Sequence, residues 1–338
     1  MQPVLSRITV VPYKASLMID RPTSMQLALG HVLALSAAVV WSLNFTAIRH
    51  LHETLNPFTV ASMRYAQAGA IALVIWAVRR PRLGRLTRRH WGMIVAFALL
   101  IGPVYQVLLN YGARGTSAGL IGLITASQTL HVAWASSLVL QEKLTAQRLV
   151  AIALAFAGLS LPIVLAGQIG YTHWHFPAVV IVTSMIAATN VILPRRMSVH
   201  VGAVDLTALV MIIAAVASLP LFALGGAAEV RQLDAGGWGA IVWLGTIGHV
   251  FAFILWYTAL RRLRAVAAGF YLFVMMMLSS LWGYLLLSEP WHWTYAAAAV
   301  AVLVGLYLNA TGGPAPRPDA ISAQAAAAAN PTATEARD

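Results

Sequence analysis

The sequence of 338 residues contains no cysteine and few charged residues. Without cysteine the chain cannot form disulfides, hold an iron–sulfur cluster through thiolates or use a thiol nucleophile. Charged residues make up only 9% of the chain, whereas 60% of the residues are hydrophobic. A soluble domain with so few charges could not cover its own apolar surface. The composition therefore predicts a protein that lies in a lipid bilayer.

The chain also lacks the short motifs of common enzyme and nucleotide sites. It has no HExxH zinc motif, no P-loop and no glycine-rich dinucleotide motif. We therefore assign no catalytic residue, no metal ligand and no cofactor, and we predict that the protein is not an enzyme. Since no ATPase domain is recognisable either, movement of a solute would have to be driven by a gradient or by the solute itself.

Ten apolar runs approach the length that a membrane-spanning helix needs, which is about 20 residues. They are separated by arginines, prolines or clusters of loop-forming residues. These runs predict an all-α integral membrane protein with ten transmembrane helices near residues 27–48, 58–78, 91–112, 116–140, 147–166, 176–194, 205–225, 237–259, 265–287 and 291–310.

The basic residues are distributed unevenly among the predicted loops. If residues 1–26 are cytoplasmic, all but four of the 22 lysines and arginines fall on the cytoplasmic side, the four being Arg49, Arg64, Arg114 and Arg231. The positive-inside rule explains this bias and predicts cytoplasmic N and C termini for a multi-pass protein of a bacterial-type inner membrane. The formal net charge of +12 therefore requires no nucleic-acid partner.

Residues of the first half recur in the second half at a fixed spacing. At a displacement of 147 residues the matching pairs are Trp91 with Trp238, Gly92 with Gly239, Glu142 with Glu289 and Gly158 with Gly305. At a displacement of 146, Asn44 matches Asn190. Matches of tryptophan, glycine and glutamate at one spacing are not readily produced by composition alone. They predict an internal duplication.

Each copy of the duplicated unit contains five predicted helices, an odd number. The second copy must therefore enter the membrane from the opposite side, which predicts two inverted repeats, residues 27–166 and 176–310. A cytoplasmic segment, residues 1–26, precedes them, and residues 311–338, rich in Ala, Pro, Gly and Thr, are expected to form a disordered cytoplasmic tail. Inverted repeats are typical of secondary transporters, in which two related packings give inward-open and outward-open states.

Three stretches of the chain resemble the EamA-like, ten-helix branch of the drug/metabolite transporter superfamily. They are WSLNFTAIRHLHETLNPFTVASMRYAQAG at 41–69, LVLQEKLTAQRLVAIALAFAGL at 138–159 and LLLSEPWHWTYAAAAVAVLVG at 285–305. The resemblance covers roughly residues 28–310. It implies a basket of ten helices around a central cavity, and export or uptake of small organic solutes.

All ten acidic residues fall in predicted loops, helix ends or tails, so the ionisable candidates within the spans are basic. Arg64 either anchors an anionic group in the cavity or reaches helix-end carbonyls or lipid phosphate. His131 and His249 either carry a coupled proton or form neutral hydrogen bonds between helices. A proton is therefore the coupling ion that these residues would admit.

Amide side chains recur along single faces of the predicted helices. Because an amide in hydrocarbon is costly unless it faces protein or water, these faces should point inward. The cavity candidates on such faces are Trp41, Asn44, Gln106, Asn110, Gln128 and Asn190. For Asn44 and Asn190 an interhelical hydrogen bond is the equal alternative. Aromatic side chains suited to flat or amphipathic solutes add Trp256, Tyr271 and Trp282 to the candidates.

Glu142 and Glu289 precede the predicted fifth and tenth helices. A carboxylate before a helix can accept hydrogen bonds from the free N–H groups of its first turn. We therefore expect both glutamates to play a structural part.

These features predict a secondary transporter of a small organic metabolite, an amino-acid-like or amphipathic compound, with export favoured over uptake. Its partners would be the substrate and membrane lipids, and the sequence assigns no oligomeric state. Two alternatives stay open: an integral membrane enzyme acting on a lipid-linked substrate through His131, His249 and Arg64, and a membrane bundle that binds a ligand without moving it.

Overall fold

A computed structural model describes residues 23–81, 86–116, 118–142, 144–165, 167, 170–198, 200–224, 227–287 and 293–311. Most of the predicted N-terminal segment, nearly all of the predicted tail and Glu289 lie outside the described residues. Within the described ranges the chain is helical apart from turns, short loops and one isolated bridge between Thr116 and Tyr171.

The first half of the described chain contains seven α-helices. They are α1 (Ser24–Leu51), α2 (Pro57–Arg79), α3 (Arg88–Leu99), α4 (Tyr105–Ala113), α5 (Ala118–Ala126), α6 (Gln128–Val139) and α7 (Ala146–Leu165). The second half contains seven more. They are α8 (His175–Met197), α9 (Ala203–Ser218), α10 (Ala227–Val230), α11 (Ala235–Gly245), α12 (Ala252–Leu260), α13 (Ala265–Leu287) and α14 (Trp293–Thr311).

The starts of several helices follow from local sequence. Thr23 and Gln26 form a reciprocal capping box at the start of α1. Asn56 accepts a hydrogen bond from the Phe58 N–H, and Pro57 at the first position of α2 has the backbone angle that a helix start requires. Asp234 accepts from the Gly237 N–H (2.7 Å) and so fixes the start of α11.

Among the described residues, eight helices are long and apolar enough to cross a bilayer. They are Ser24–Ile48, Pro57–Arg79, Arg88–Ala113, Ala146–Leu165, His175–Met197, Ala203–Leu224, Ala235–Leu260 and Ala265–Leu286. The predicted span 116–140 is instead two short helices, α5 and α6, which meet at Ser127. The apolar part of α14, Trp293–Asn309, is shorter than the other spans. The protein is therefore a multi-pass membrane protein, while the count of ten spans and the side of each terminus stay predictions.

Two of the long helices contain a wide, π-type turn near their middle. Leu100–Val104 joins α3 to α4, and Thr246–Phe251 joins α11 to α12. The first of these contains Pro103, which lacks a backbone N–H and cannot continue a regular helix. Residues 100–104 shifted by 147 positions become 247–251, so the two turns lie at equivalent places in the duplicated sequence. Such turns are frequent at functional sites.

The helices of the two halves pack in a reciprocal pattern. Helix α1 contacts α11, α12 and α13, and its counterpart α8 contacts α4 and α6. In the same way α2 packs on α9, α6 on α13 and α7 on α14. When the two halves are exchanged, the contacts of α1 with α12 and α13 become those of α8 with α4 and α6, and the contacts α2–α9, α6–α13 and α7–α14 become themselves. The buried core is shared by both halves and includes Tyr65, Phe97, Met211, Trp256 and Phe270.

Small residues bring α7 and α14 close together. A Cβ atom added at Gly158 would collide with Ala301, and one added at Gly305 would lie 2.8 Å from the backbone oxygen of Ala151. Gly158 and Gly305 are equivalent positions of the repeat. Close backbone approach through small residues is the usual way in which membrane helices associate.

Candidate functional site

A cavity of about 270 Å³ lies between the two halves of the protein. Its walls come from α1, α2, α4, α6, α8, α12 and α13 and from both π-type turns. Nine of the twelve predicted site residues line it: Trp41, Asn44, Arg64, Gln106, Asn110, Gln128, Asn190, His249 and Trp256. Because these polar faces point inward, the nine residues lie close together in the structure, although they are far apart in sequence.

The other three predicted residues lie outside this cavity. His131 Nδ1 is 3.1 Å from Ser184 Oγ and joins α6 to α8. The other two residues form hydrogen bonds with α1. Tyr271 OH is 2.9 Å from His31 Nδ1, and Trp282 Nε1 donates to Ser42 Oγ (2.8 Å). In each case an interhelical hydrogen bond takes the place of the expected exposure to the cavity. These residues are not part of the site proposed below.

Several lining residues were not among the predicted ones. Phe45 and Ile48 lie on the face of α1 that carries Trp41, and His52 follows directly after α1. Their spacing from Trp41, at four, seven and eleven residues, is a helical repeat and could have identified them. Phe253 lies four residues after His249, and the same helical spacing could have identified it.

Tyr65 and Tyr105 also line the cavity. Tyr65 directly follows the predicted Arg64, and Tyr105 directly precedes the predicted Gln106. The helical repeat of three or four residues therefore gave no signal for either tyrosine. Tyr65 OH donates to the carbonyl oxygen of Ile101 (2.7 Å), at the first π-type turn. The irregular turn therefore provides the acceptor that holds this ring against the cavity.

Arg64 on α2 is the one Lys, Arg, Asp or Glu residue in the described lining of the cavity. Its guanidinium carbon lies 5.4 Å from the centroid of the Tyr65 ring, a cation–π distance. Its Nε is buried and finds no hydrogen-bond acceptor among the described residues. No described carboxylate forms an ion pair with it. Arg64 thus lines the cavity without a carboxylate partner among the described residues.

His249 lies in the second π-type turn and is buried. Its ring meets Tyr65 edge-on at 4.8 Å and Phe253 at 5.0 Å between centroids. Its Nε2 has no hydrogen-bond partner within the described part of the chain. Next to it, the Trp41 ring contacts Phe253 at 5.1 Å and Trp256 at 5.2 Å. These rings form an aromatic wall, defined as Trp41, Phe253 and Trp256.

Two of the lining amides also hold helices together. Asn44 donates to the carbonyl oxygen of Gly248 (2.8 Å) and accepts from Trp243 Nε1 (3.0 Å). Asn190 offers its backbone oxygen to Trp256 Nε1 (3.2 Å) and its side-chain oxygen to Tyr257 OH (3.4 Å). Both alternatives considered for these residues are thus met at once, since each amide lines the cavity and bonds another helix.

The cavity reaches one end of the bundle. Ile48, His52 and Pro57, at the loop between α1 and α2, line it, and His52 is exposed. This end is the one that the predicted topology places outside the cell. Partial desolvation of its ring lowers the pKa of His52 from the ordinary value of 6.5, which favours the neutral form at pH 7.

The opposite end of the bundle carries a charged cluster, defined as Glu142, Arg195 and Arg264. Glu142 Oε1 lies 3.1 Å from Arg195 Nε, and its Oε2 lies 3.9 Å from Arg264 Nε. Arg195 also donates to the backbone oxygens of Leu260 (2.8 Å) and Leu263. The cluster thus joins the loop after α6 to the ends of α8 and α12.

Glu142 stabilises a different helix from the one that the sequence suggested. Its carboxylate accepts from the backbone N–H groups of Ala265 (3.0 Å) and Val266 (3.5 Å), at the start of α13 in the other half. The start of α7 is bonded by Thr145 instead, whose hydroxyl accepts from the Arg148 N–H (3.3 Å). The expected partner was therefore wrong, because the loop after α6 folds back onto the second half.

Comparison with known proteins agrees with this architecture. The EamA-like transporter family matches residues 28–164 and 177–311. An uncharacterized transporter of Archaeoglobus fulgidus is 28% identical over 77% of this chain and 90% of its own length. A probable terminal-alkyne amino-acid exporter of Streptantibioticus cattleyicolor is 26% identical over 74% of this chain and 83% of its own.

A solved crystal structure has the same fold. It superposes with a TM-score of 0.69 at 18% sequence identity, covering 84% of this chain and 96% of that one. The resemblance noted in the sequence is confirmed by the family match, which extends over most of the described helices. The chain is a member of the EamA-like transporter family.

Proposed function

We propose that the protein is a secondary active transporter that moves a small organic metabolite across a bacterial-type inner membrane by alternating access. The observation that carries the proposal is a polar and aromatic cavity between the two halves, which reaches one end of the bundle, while the charged cluster lies at the other end. We infer that the cluster closes its end of the bundle, so that a solute enters the cavity from one side only, as in an outward-open state.

The reciprocal packing of the halves supports two inverted repeats, residues 27–166 and 176–310. The π-type turns at equivalent positions and the family match in two successive ranges agree with this division. In transporters of this kind the substrate binds at the interface of the repeats, next to interrupted helices. If the two halves exchanged their packing arrangements, the present opening would close. The ion pairs of Glu142 with Arg195 and Arg264 would then separate and open the other end.

The lining favours an amphipathic or amino-acid-like solute. The aromatic wall offers apolar surface, while Arg64, Gln106 and Gln128 offer polar groups. The relative described as a probable terminal-alkyne amino-acid exporter supports the same class and the export direction. We propose as substrate-binding residues the nine predicted ones that line the cavity.

Flux into proteoliposomes tests this function. We expect the proteoliposomes to take up a radiolabelled solute from a panel of amino acids and carboxylates. This uptake should stop when the gradient that drives it is collapsed. Ala187 lines the cavity, so Ala187→Phe should block flux by filling it, whereas Ala296→Phe, on an exposed position of α14, should not.

The two variants add the same side chain, so a difference between them isolates the cavity. Specific ligand binding by folded protein without flux of any panel member would contradict transport and favour a binding bundle. Formation of a chemically altered product in detergent would favour an enzyme.

A further inference from the structure

The cavity has an unbalanced charge. Arg64 contributes a permanent positive charge, and the described lining contains no aspartate or glutamate to neutralise it. The histidines of the lining, His52 and His249, cannot supply a negative charge, because an imidazole is either neutral or cationic. A ligand that brings one negative charge would restore balance, whereas a cation would enter a site that already repels it.

The geometry of Arg64 favours a carboxylate as the source of that charge. The guanidinium presents its donors as a planar fork, which matches the two oxygens of a carboxylate. Its Nε is buried and has no acceptor among the described residues, and its guanidinium carbon lies 5.4 Å from the centroid of the Tyr65 ring. The Nε donor is therefore unused within the described part of the protein, and a carboxylate in the cavity could accept a hydrogen bond from this guanidinium.

The rest of the lining limits the remainder of the ligand. The aromatic wall of Trp41, Phe253 and Trp256 presents rings to an apolar body. A volume of about 270 Å³ is below the range of about 300–1,000 Å³ typical of pockets for drug-sized molecules. The space therefore suits one ring or a short chain attached to the acid.

We infer that Arg64 anchors the carboxylate of a small organic anion whose apolar body packs on the aromatic wall, and that the site selects against cations such as polyamines. This inference names the substrate class of the proposed transporter and rests on the proposed function only for the claim that the bound anion moves. Arg64 is then the residue that determines specificity for charge.

Equilibrium binding to detergent-purified protein tests the charge requirement. The probes are 3-phenylpropionate, 3-phenylpropionamide and 3-phenylpropylamine, which share the ring and differ in the polar group. We expect 3-phenylpropionate to bind about 10- to 100-fold more tightly than the amide, as one charge-assisted hydrogen-bonded pair provides, and the amine to bind most weakly. Equal affinity for the acid and the amide, or tighter binding of the amine, would overturn the inference.

Variants of Arg64 test the assignment of that charge. In Arg64→Gln the acid-to-amide ratio should fall to within about twofold, and Arg64→Lys should retain a part of it. Arg114→Gln is the matched control, since Arg114 is exposed just beyond α4, and its ratio should not change. If Arg64→Gln does not fold, Arg64→Lys and the three probes on the unmodified chain still decide the matter. An unchanged ratio in folded Arg64→Gln would overturn the inference.

A lipid phosphate is the other anion that could occupy Arg64. Stabilisation by phosphatidylglycerol that depends on Arg64, with none by 3-phenylpropionate, would overturn the carboxylate assignment. Flux measurements separate this inference from the proposed function. Selective binding of the acid without flux contradicts transport and leaves the anchor intact, whereas equal flux of acid, amide and amine contradicts the anchor and leaves transport intact.

Discussion

Asn44 and Gly248 join the two halves of the protein beside the cavity. The Asn44 amide on α1 donates to the carbonyl oxygen of Gly248 in the second π-type turn (2.8 Å), while Trp243 Nε1 donates to its oxygen (3.0 Å). The π-type turn frees a backbone carbonyl from regular helical bonding, and the amide supplies the missing donor. One side chain thus stabilises an interrupted helix at the wall of the site.

Gly248→Ala is expected to destabilise the protein. An added Cβ would collide with the Asn44 side chain, and overpacking of this kind costs about 1–3 kcal/mol. Thermal unfolding in detergent measures the effect. Gly239→Ala is the control, because a Cβ at Gly239 on α11 would meet nothing within 4 Å, and helical Gly→Ala is favourable by about 0.5–1 kcal/mol. Equal changes of the melting temperature in both variants would show that the contact with Asn44 does not contribute to stability.

Asn44→Ala is expected to lower the stability of the protein by about 1–3 kcal/mol, since it leaves the Gly248 carbonyl and the Trp243 N–H without their partner. Asn110→Ala provides the comparison. Asn110 also lines the cavity, but within the described residues its amide donates to the backbone oxygen of Gln106 in the same helix (2.8 Å) and to no other helix. Unfolding of the two purified variants should therefore differ, and a change as large for Asn110 as for Asn44 would contradict the structural part assigned to Asn44.

Glu142→Gln is expected to destabilise the closed end of the bundle. The Glu142 side chain is only 8% exposed and faces two arginines, and removal of one partner from a buried ion pair costs about 3–5 kcal/mol. The Arg79 and Asp205 pair offers a contrast, because the Arg79 side chain is 51% exposed and exposed pairs contribute about 0–1 kcal/mol. Chemical denaturation of Glu142→Gln and Arg79→Gln compares how much each ion pair contributes to the free energy of unfolding. A larger loss in Arg79→Gln would contradict this ranking.

The positions of most helices and much of the polar lining could be predicted from sequence by one physical rule. Polar groups in a bilayer must find water or protein, and this rule placed Asn44, Gln106 and Gln128 on inward faces. The rule does not distinguish a cavity from a helix contact. His131 and Trp282 satisfied it through single hydroxyl partners, Ser184 and Ser42, whose positions depend on the packing of distant helices.

The interruptions of the helices were not predictable in the same way. Hydropathy measures composition and is nearly the same for a regular helix and for one with a π-type turn, so residues 246–251 gave no signal. The break between α5 and α6 at Ser127 also lies within a continuous apolar run. The partner of Glu142 was missed because hydrogen bonds to the start of α13 span more than 120 residues of chain.

Thr54 and His200 provide a test of the inverted arrangement. They are separated by 146 residues, the displacement that matches Asn44 with Asn190, and both are exposed in loops. Inverted repeats place such equivalent loops on opposite faces of the membrane, whereas parallel repeats place them on the same face. Because the chain contains no cysteine, Thr54→Cys and His200→Cys each carry one thiol. A membrane-impermeant maleimide on intact cells should label the cysteine at position 54 and leave the one at 200 unlabelled until the cells are opened; labelling of both from one side would remove the basis for alternating access.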